Sequence, residues 1–309
     1  MSYEEVLNKN VLIVVESPFQ LLCAYEAIHS LKLNYKLIVR LSGHINNDQQ
    51  LKQMADNLSF SNVIFIKIKT KKDVLSLLNM TIFYIQLYFR QFDYYYFGDY
   101  LSGFLKLSSK FINRKKIFLL DDGVATLKIQ QQFLQNNSPL NLYTVFDIKA
   151  MHMQKILKHR FLHLTNHFKN SNIINKNIYI GENLVELSIL DAKKYLDIVR
   201  EVAKESKELF YFPHRLSSPD ILNEIKKIKN ISIVYPDVCI EYYVLKEGIL
   251  PSKVYSILST ALFTLNILFP KSNIIAYKPI FNVTKRSEDI EHLFNIMKLD
   301  TSISVIEYK

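Results

Sequence analysis

The chain has 309 residues, of which 49% are hydrophobic and 22% charged, so its composition is that of a soluble globular protein and excludes a disordered or fibrous one. That length is comfortable for two domains of about 150 residues each. The 39 basic and 29 acidic residues give a formal net charge of +10, which favours anionic partners such as nucleotides, nucleic acid or an acidic membrane surface.

The predicted elements of the first half alternate between strands and helices. Strand-like apolar runs span residues 11–15, 36–41, 63–68, 94–97 and 116–120. Ser17 followed by Pro18 predicts a helix start, because a hydroxyl caps the first turn and proline fits the first helical position. The apolar-periodic segment that follows continues through Ile28.

The most apolar stretch, residues 74–89, is shorter than the roughly 20 residues needed to span a bilayer, and it contains Asn79 and Gln86. We interpret it as a buried core helix, with a membrane-surface helix as the alternative. The first ten residues lack the basic-then-apolar order of a signal peptide. Two cysteines, Cys23 and Cys239, make no disulfide framework and fit a reducing compartment. We expect a cytoplasmic protein, with peripheral contact at the inner face of the cell membrane left open.

A second alternating series follows a polar region at 130–139 and a histidine-rich segment. Its predicted strands span residues 177–180, 209–212, 231–235, 253–258 and 274–277. One helix is predicted over residues 190–205, a second after Pro219 and a third from Thr260. The pattern predicts an α/β protein of two Rossmann-like, doubly wound domains. The boundary is placed near Asn175, which gives domains 1–175 and 176–309.

Three short polar motifs each follow a predicted strand. They are Asp121-Asp122-Gly123, Pro213-His214-Arg215 and Ser259-Thr260. Open α/β sheets bind ligands at the carboxyl ends of their strands, because loops and helix N-termini converge there. The sequence therefore offers a carboxylate pair, a histidine and two hydroxyls as candidate site residues.

Each motif also has a purely structural interpretation. Asp121-Asp122-Gly123 is compatible with a tight turn, and Ser259 with a helix N-cap. As functional groups, one aspartate would act as general base, and we favour Asp122 because adjacent residues of an extended chain point to opposite faces. His214 precedes a predicted helix start and could contact an anion, as could the two hydroxyls before the helix that begins at Thr260.

Four histidines have spacings of seven, four and four residues, which predict one helical face: His152, His159, His163 and His167. Zinc is a candidate ligand, but no neighbouring cysteine or His-Glu-x-x-His pattern accompanies them, and a polar stripe is favoured. The sequence has no P-loop, no Gly-x-Gly-x-x-Gly and no RNA-binding signature, so we expect no nucleic-acid partner.

In combination and order, the motifs resemble those of bacterial sialyltransferases, most closely glycosyltransferase family 52, which includes lipooligosaccharide and capsule sialyltransferases. The resemblance covers most of the chain. The segments that carry it are Val14-Val15-Glu16-Ser17-Pro18-Phe19-Gln20-Leu21-Leu22, Asp121-Asp122-Gly123, Ile180-Gly181-Glu182, Pro213-His214-Arg215, Glu241-Tyr242-Tyr243 and Ser259-Thr260-Ala261-Leu262-Phe263-Thr264. One departure is that Arg215 follows His214, where these enzymes often have proline.

The resemblance implies a GT-B fold, with two domains facing across a cleft, the acceptor on the 1–175 side and the nucleotide on the 176–309 side. It implies inverting transfer of sialic acid from CMP-sialic acid to a hydroxyl of a terminal sugar, such as galactose, of a surface glycan. Asp122 would be the base, His214, Ser259 and Thr260 would contact the CMP phosphate, and Glu241 would bind the ribose. By the same matching, Gly181 and Arg215 belong to the donor side and Ser17, Gln20 and Asp121 to the acceptor side.

This chemistry demands neither a metal nor another cofactor, because imidazolium, hydroxyls and a helix dipole can stabilise one departing phosphate. The implied partners are CMP-sialic acid and a galactose-containing oligosaccharide or glycolipid, and a homodimer is left open. Two alternatives remain: a GT-B glycosyltransferase with another nucleotide-sugar donor, and a non-catalytic basic binding protein.

Overall fold

The computed structural model describes residues 3–69, 73–89, 91–169, 173–282, 287–299 and 302–308. The chain divides into two units, Met1–Lys169 and Asn170–Lys309. The boundary expected at residue 175 therefore lies inside the first strand of the second unit, which spans Ile174–Ile180.

The first unit is built on one parallel sheet of seven strands. They are β1 (Asn10–Val15), β2 (Asn34–Leu41), β3 (Val63–Lys67), β4 (Tyr94–Phe97), β5 (Ile117–Leu120), β6 (Asn141–Thr144) and β7 (Ile156–Lys158). Its helices are α1 (Pro18–Ser30), α2 (Ile45–Asn57), α3 (Val74–Phe89), α4 (Gly103–Ser108), α5 (Ala125–Asn136) and α6 (Leu162–His167), with short 3₁₀ helices at Tyr3–Glu5, Ser109–Phe111 and Arg114–Lys116. The strands lie in the order β3-β2-β1-β4-β5-β6-β7.

The second unit is built in the same way on six parallel strands. They are β8 (Ile174–Ile180), β9 (Leu209–Phe212), β10 (Ile231–Ile233), β11 (Ile249–Ser256), β12 (Asn273–Pro279) and β13 (Ile303–Tyr308), in the order β10-β9-β8-β11-β12-β13. Its helices are α7 (Ala192–Lys204), α8 (Pro219–Lys226), α9 (Ile240–Lys246), α10 (Ala261–Leu268) and α11 (Ser287–Leu299).

In both sheets the direction in which the chain adds successive strands reverses at a defined pair of neighbouring strands. In the first unit the chain winds outward from β1 to β3 and then continues from β4 on the other side of β1. In the second unit the same reversal lies between β8 and β11. Loops leaving two such strands diverge and open a crevice at their carboxyl ends. The predicted doubly wound α/β class is confirmed.

The clearest predictions from the sequence were strands that are apolar over nearly their whole length, such as β1 and β5. β1 is buried from Val11 to Val15, because helices cover both faces of a parallel sheet. Strands β6, β7 and β13 were not predicted from the sequence. β7 has only three residues, and β6 directly follows a polar region, so neither forms a clear apolar run.

Helix α3 corrects the expectation of a buried core helix. Only Ser76, Phe83 and Leu87 are buried along its length, while most of its other apolar side chains are exposed. The helix is apolar on all sides, but only one edge of it faces the sheet. Among the helices of the described residues, none is both long enough and apolar enough to cross a membrane.

We predict that Gly181→Ala lowers the free energy of unfolding by about 1–3 kcal/mol, the usual range for overpacking. A Cβ at this position, directly after β8, would lie 2.7 Å from Cζ of Tyr211 and 3.0 Å from the carbonyl oxygen of Phe212. Urea unfolding measures the change. Gly103→Ala is the control, because a Cβ there meets nothing within 4 Å among the described residues; equal stability of the two variants would contradict the prediction.

Candidate functional site

In the first unit, a cavity of about 330 Å³ lies at the carboxyl ends of β1 and β4, where the strand order reverses. Charged and polar side chains line it: Glu16, Arg40, Lys69, Asp99 and Ser102. Glu16 follows β1 directly, and Asp99 lies two residues after β4. None of these five residues was predicted as a site residue from the sequence, although an acidic residue directly after a buried strand, such as Glu16, was a usable signal.

Glu16 and Arg40 form a half-buried ion pair in the wall of this cavity. Nη1 of Arg40 donates to Oε2 of Glu16 at 2.5 Å, and the hydroxyl of Ser102 donates to Oε1 at 2.9 Å. Burial raises the pKa of the Glu16 carboxyl, and the Arg40 guanidinium opposes that shift. The two partners fix each other's side chains, so the cavity has a rigid polar wall.

Gln20 connects the start of α1 to Asp122. Its Oε1 accepts from the backbone N–H groups of Glu16 and Ser17, at 2.8 and 3.2 Å, and its Nε2 donates to Oδ1 of Asp122 at 2.9 Å. Ser17 caps α1 by accepting from the Gln20 N–H, so the two residues form a capping box. The structure thus brings three predicted residues, Ser17, Gln20 and Asp122, to one place.

Gly98 makes room for this arrangement. A Cβ at Gly98, directly after β4, would lie 2.5 Å from Cδ of Gln20. Only a residue without a side chain allows β4 to pass that close to the amide that holds Asp122.

Asp122 has the features of a general base. Its side chain is held on one oxygen by Gln20 and is partly exposed. Burial raises the pKa of the Asp122 carboxyl, the Gln20 hydrogen bond lowers it, and the nearby Asp99 raises it. A raised pKa makes a carboxylate a stronger proton acceptor.

Asp121 points into the interior instead. It is fully buried, with Oδ1 accepting from the Thr144 hydroxyl at 2.6 Å and Oδ2 from the Val145 N–H at 2.7 Å. Burial raises the pKa of the Asp121 carboxyl from 3.8 to about 7, against the effect of those hydrogen bonds. The neighbouring aspartates thus face different environments.

The four histidines do not share a helical face, which corrects that expectation. His152 precedes β7, His159 follows it, and His163 and His167 lie on α6. His159 is buried and stacks on the ring of Tyr143, with centroids 4.3 Å apart. Strand β7 lies between His152 and His159 and interrupts the helical spacing that the sequence suggested.

Tertiary structure also brings a cysteine to one of these histidines. The candidate ligand atoms of Cys23, Asp121 and His159 all lie within 4.8 Å of one another. Burial lowers the pKa of the His159 imidazole to about 3, so the ring is neutral. Because both oxygens of Asp121 already accept hydrogen bonds, we interpret the cluster as part of the core.

In the second unit, Glu182 organises the loop that carries Ser259 and Thr260. Its Oε1 accepts from the backbone N–H groups of Ile257 and Leu258, at 2.5 and 2.9 Å, and from the hydroxyl of Ser256. Burial raises the pKa of Glu182 from 4.5 to about 7. The motif Ile180-Gly181-Glu182 alone does not predict this role of Glu182, because the role depends on contacts with residues 256–258.

Ser259 and Thr260 lie just before α10, as predicted, but the helix amides are less available than expected. The N–H of Ala261 donates to the Ser259 hydroxyl at 3.3 Å, and the N–H groups of Leu262 and Phe263 donate to the carbonyls of Ser259 and Thr260. The N-cap position is Thr260 and not Ser259. Hydroxyl groups, more than free helix amides, are therefore what this loop offers to an anion.

His214 lies two residues after β9 and is half-buried. Its Nδ1 accepts from the N–H of Leu216 at 3.2 Å, so in the neutral ring Nε2 carries the proton and is a donor. Burial lowers the pKa of His214, Arg215 lowers it further, and Glu186 raises it. Arg215 itself is exposed.

Glu241 and Gly181 have structural contacts of their own. Glu241, on α9, is buried, and its Oε1 accepts from the hydroxyl of Thr264 on α10 at 2.7 Å. Gly181 donates its N–H to the carbonyl of Phe212 at 2.8 Å and packs against Tyr211. Glu241 therefore joins two helices whose first turns lie in the predicted donor region, and Gly181 joins β8 to the end of β9.

No protein-family model matches the sequence, and no curated protein matches it at a significant level. Solved structures do. A Photobacterium 2,6-sialyltransferase in complex with CMP and lactose has a TM-score of 0.52 and 14% identity, covering 96% of this chain and 78% of that one. The UDP-GlcNAc 2-epimerase of Methanocaldococcus jannaschii, with UDP-GlcNAc and UDP, has a TM-score of 0.58 and 12% identity, covering 96% and 89%.

A third similar structure is that of Arabidopsis thaliana UGT89C1 complexed with UDP-L-rhamnose, with a TM-score of 0.58 and 11% identity, covering 98% of this chain and 86% of that one. All three hold a nucleotide or a nucleotide sugar. At such low identities the similarity shows the fold, and it confirms the predicted GT-B fold of two Rossmann-like domains.

We predict that stability falls as the pH rises from about 4 to about 7. The folded protein holds protons on Asp121 and Glu182 with pKa values of about 7, above the ordinary values of 3.8 and 4.5, so the unfolded chain releases them at lower pH. Asp121→Asn mimics the protonated group and should flatten the slope by up to about 1.4 kcal/mol per pH unit.

Urea unfolding at several pH values measures this slope. The exposed Asp220→Asn is the control for removing one carboxylate. A slope that is the same in Asp121→Asn and in the unmodified protein would mean that Asp121 is ionised when folded.

Proposed function

We propose that the chain is an inverting sialyltransferase that moves sialic acid from CMP-sialic acid to a sugar hydroxyl. The observation that carries the proposal is the position of three motifs at the carboxyl ends of parallel strands: Asp122 after β5, His214 after β9, and Ser259 with Thr260 after β11. Together they supply a base, a proton-bearing imidazole and two hydroxyls. These are the groups that a transfer with a single departing phosphate requires.

On the acceptor side, Asp122 takes the proton of the attacking hydroxyl. The oxygen forms a bond to the anomeric carbon of sialic acid as the bond from that carbon to the CMP phosphate breaks, and CMP leaves with the electron pair. Gln20 keeps one oxygen of Asp122 occupied, so the other oxygen accepts the proton. Asp121, neutral below its pKa of about 7, places less negative charge next to the base.

On the donor side, the departing phosphate gains negative charge during the reaction. The Nε2–H of His214 donates to it, and Ser259 and Thr260 donate through their hydroxyls. Arg215 supplies a positive charge next to the imidazole. Glu241, whose Oε1 accepts from Thr264, is assigned to the ribose hydroxyls by its place in the motif Glu241-Tyr242-Tyr243.

The cavity bounded by Glu16, Arg40 and Asp99 binds the acceptor sugar in this proposal. Carboxylates and a guanidinium are strong hydrogen-bonding partners for the many hydroxyls of a sugar. Ser17 and Gln20 begin the helix beside it, so the acceptor-side residues of the first unit share one strand end. A terminal galactose of an oligosaccharide or a glycolipid is the proposed acceptor.

One alternative is favoured by a specific observation. Two of the similar structures bind UDP sugars. A GT-B glycosyltransferase with such a donor would retain the same architecture and the same base. A non-catalytic basic binding protein would need neither the base nor the nucleotide.

The decisive experiment is incubation with CMP-sialic acid and lactose, with mass spectrometry of the product. Sialyl-lactose and free CMP are the expected products. A thermal-shift series with CMP, UMP, UDP and GDP identifies the nucleobase and the number of phosphates that the protein prefers. Stabilisation by UDP alone would favour the alternative donor. No stabilisation by any of these nucleotides would exclude both enzymatic interpretations.

Asp122→Asn should lower transfer by about 10² to 10⁴-fold, the usual contribution of a positioned acid-base group. The amide is nearly isosteric and retains the acceptor oxygen for Gln20, but it cannot take up a proton. Initial rates with CMP-sialic acid and lactose measure the effect. CMP affinity and the Tm should remain close to those of the unmodified protein.

Asp121→Asn is the matched control, because its side chain is buried and its partners are Thr144 and Val145. It should lower transfer less than Asp122→Asn does. The reverse order would assign the base to Asp121, and full activity of both variants would contradict the mechanism.

Replacing both Ser259 and Thr260 with alanine should weaken CMP binding, because each hydroxyl donates a charge-assisted hydrogen bond worth at most about 1.5 to 3 kcal/mol. Calorimetric titration with CMP measures the loss. Replacing Ser252 and Ser304 with alanine removes two exposed hydroxyls from the same unit and is the control. Unchanged CMP affinity in the first variant would contradict the phosphate assignment.

A further inference from the structure

Helix α3 presents a long apolar surface to solvent. Its exposed apolar side chains are Val74, Leu75, Leu77, Leu78, Ile82, Ile85, Tyr88 and Phe89, which we call the α3 face. The end residues are the most exposed, with Val74 at 80% and Phe89 at 77%. Contiguous apolar surface of this kind on a globular protein marks an interaction site.

The α3 face is continuous because of the helical repeat. Val74, Leu78, Ile82, Ile85 and Phe89 follow each other at steps of three and four residues, which places them in one row. The helix has no charged residue over its 16 positions. It therefore has an uninterrupted apolar row along its whole length.

The opposite edge of α3 holds the helix firmly on the first unit. Phe83 packs against Phe104, with ring centroids 4.8 Å apart, and the hydroxyl of Tyr84 donates to the carbonyl of Phe104 at 3.2 Å. Asn79 donates to the carbonyl of Lys67 at 2.9 Å. The α3 face is thus the outer surface of a helix that is anchored to the first unit by its other edge.

Basic residues flank the α3 face at both ends of the helix. Lys67 and Lys69 are exposed before it, and Nζ of Lys36 lies 3.4 Å from Oε1 of Gln86 near its end. In the sequence, Lys71 and Lys72 also precede the helix and Arg90 follows it, while the acidic residues of the segment 67–93 are Asp73 and Asp93. Positive charge at both ends complements an anionic surface.

We propose that α3 binds the surface of an anionic lipid bilayer, lying in the plane of the membrane. Its apolar row would enter the boundary between headgroups and acyl chains, and the lysines would contact lipid phosphates. A helix of 16 residues is about 24 Å long, shorter than the hydrocarbon core of about 30 Å, so it binds the surface and does not span it.

A second copy of the chain suits the α3 face less well. In a symmetric dimer the same patch meets itself, and both ends of this patch are basic. Either orientation of two such helices would therefore bring like charges together. Anionic lipid removes that repulsion.

The position of α3 has a consequence that rests on the proposed function. Met80 of α3 lines the cavity that holds Glu16 and Arg40. Membrane binding through α3 would bring the proposed acceptor cavity close to the bilayer surface. That placement suits an acceptor sugar carried by a membrane lipid, whereas lipid binding itself does not depend on the reaction.

The absence of tryptophan from the sequence allows a direct test with the full chain. Ile82→Trp places a single reporter in the α3 face, and Leu134→Trp places one at an exposed position of α5. With vesicles of equimolar phosphatidylcholine and phosphatidylglycerol, we expect a blue-shifted emission and quenching by brominated lipid for Ile82→Trp only. Equal responses of the two reporters, or none from Ile82→Trp, would overturn the proposal.

Vesicle sedimentation provides the second measurement. Replacing Leu78, Ile82 and Ile85 with glutamine should lower binding to the same vesicles by about tenfold or more. The matched control replaces three exposed leucines elsewhere, Leu134, Leu162 and Leu299, and should bind as the unmodified protein does. Thermal melting checks that both variants fold.

A pair of charge variants keeps the test independent of the apolar substitutions. Lys36→Gln with Lys67→Gln, neither of which lines the proposed acceptor cavity, should weaken binding several-fold and reduce its sensitivity to salt. The proposal is wrong if the unmodified protein sediments as a dimer and does not bind vesicles, while the variant with glutamine at positions 78, 82 and 85 sediments as a monomer. In that case the α3 face binds a second copy of the chain. Loss of lipid binding with unchanged transfer to soluble lactose would leave the proposed function intact.

Discussion

Buried carboxylates hold the loops that leave the carboxyl ends of the strands, and the candidate site depends on them. Backbone N–H groups at the end of a sheet lose their strand partners and must find others when they are buried. In the first unit Asp121 accepts from the N–H of Val145 and the hydroxyl of Thr144. In the second unit Glu182 accepts from two consecutive N–H groups, those of Ile257 and Leu258. Each carboxylate therefore determines where the adjacent polar motif lies.

This constraint explains the different roles of neighbouring residues. Asp121 is occupied by the loop after β6, which leaves Asp122 on the other side of the chain to meet Gln20 and solvent. Gln20 is itself held by the backbone at Glu16 and Ser17, and Gly98 leaves room for its side chain. The proposed base is thus positioned by an amide that both β1 and β4 constrain. The same principle applies to Ser259, whose loop is held by Glu182 before any ligand is present.

Helix α3 exposes apolar side chains that a helix of a globular protein usually buries. α3 has as many large apolar side chains as a core helix, yet it uses only one edge to cover the sheet. In a globular protein, a helix of that composition is normally covered by other parts of the protein on more than one side. The basic residues at both ends then explain why the uncovered side fits a lipid surface, and the cavity beside Met80 links that surface to the proposed acceptor site.

The sequence by itself determined the elements and the order of the motifs. Apolar runs such as 11–15 and 209–212 predicted buried strands, and Ser17-Pro18 predicted the start of α1, because these signals depend on residues that are near each other in the chain. Tertiary structure alone decided which groups meet. Gln20 and Asp122 are 102 residues apart, and Glu182 is about 75 residues from the loop that it holds. Such contacts depend on strand order, which no local pattern encodes, and so do the burial of Asp121, the dispersal of the four histidines and the exposure of α3.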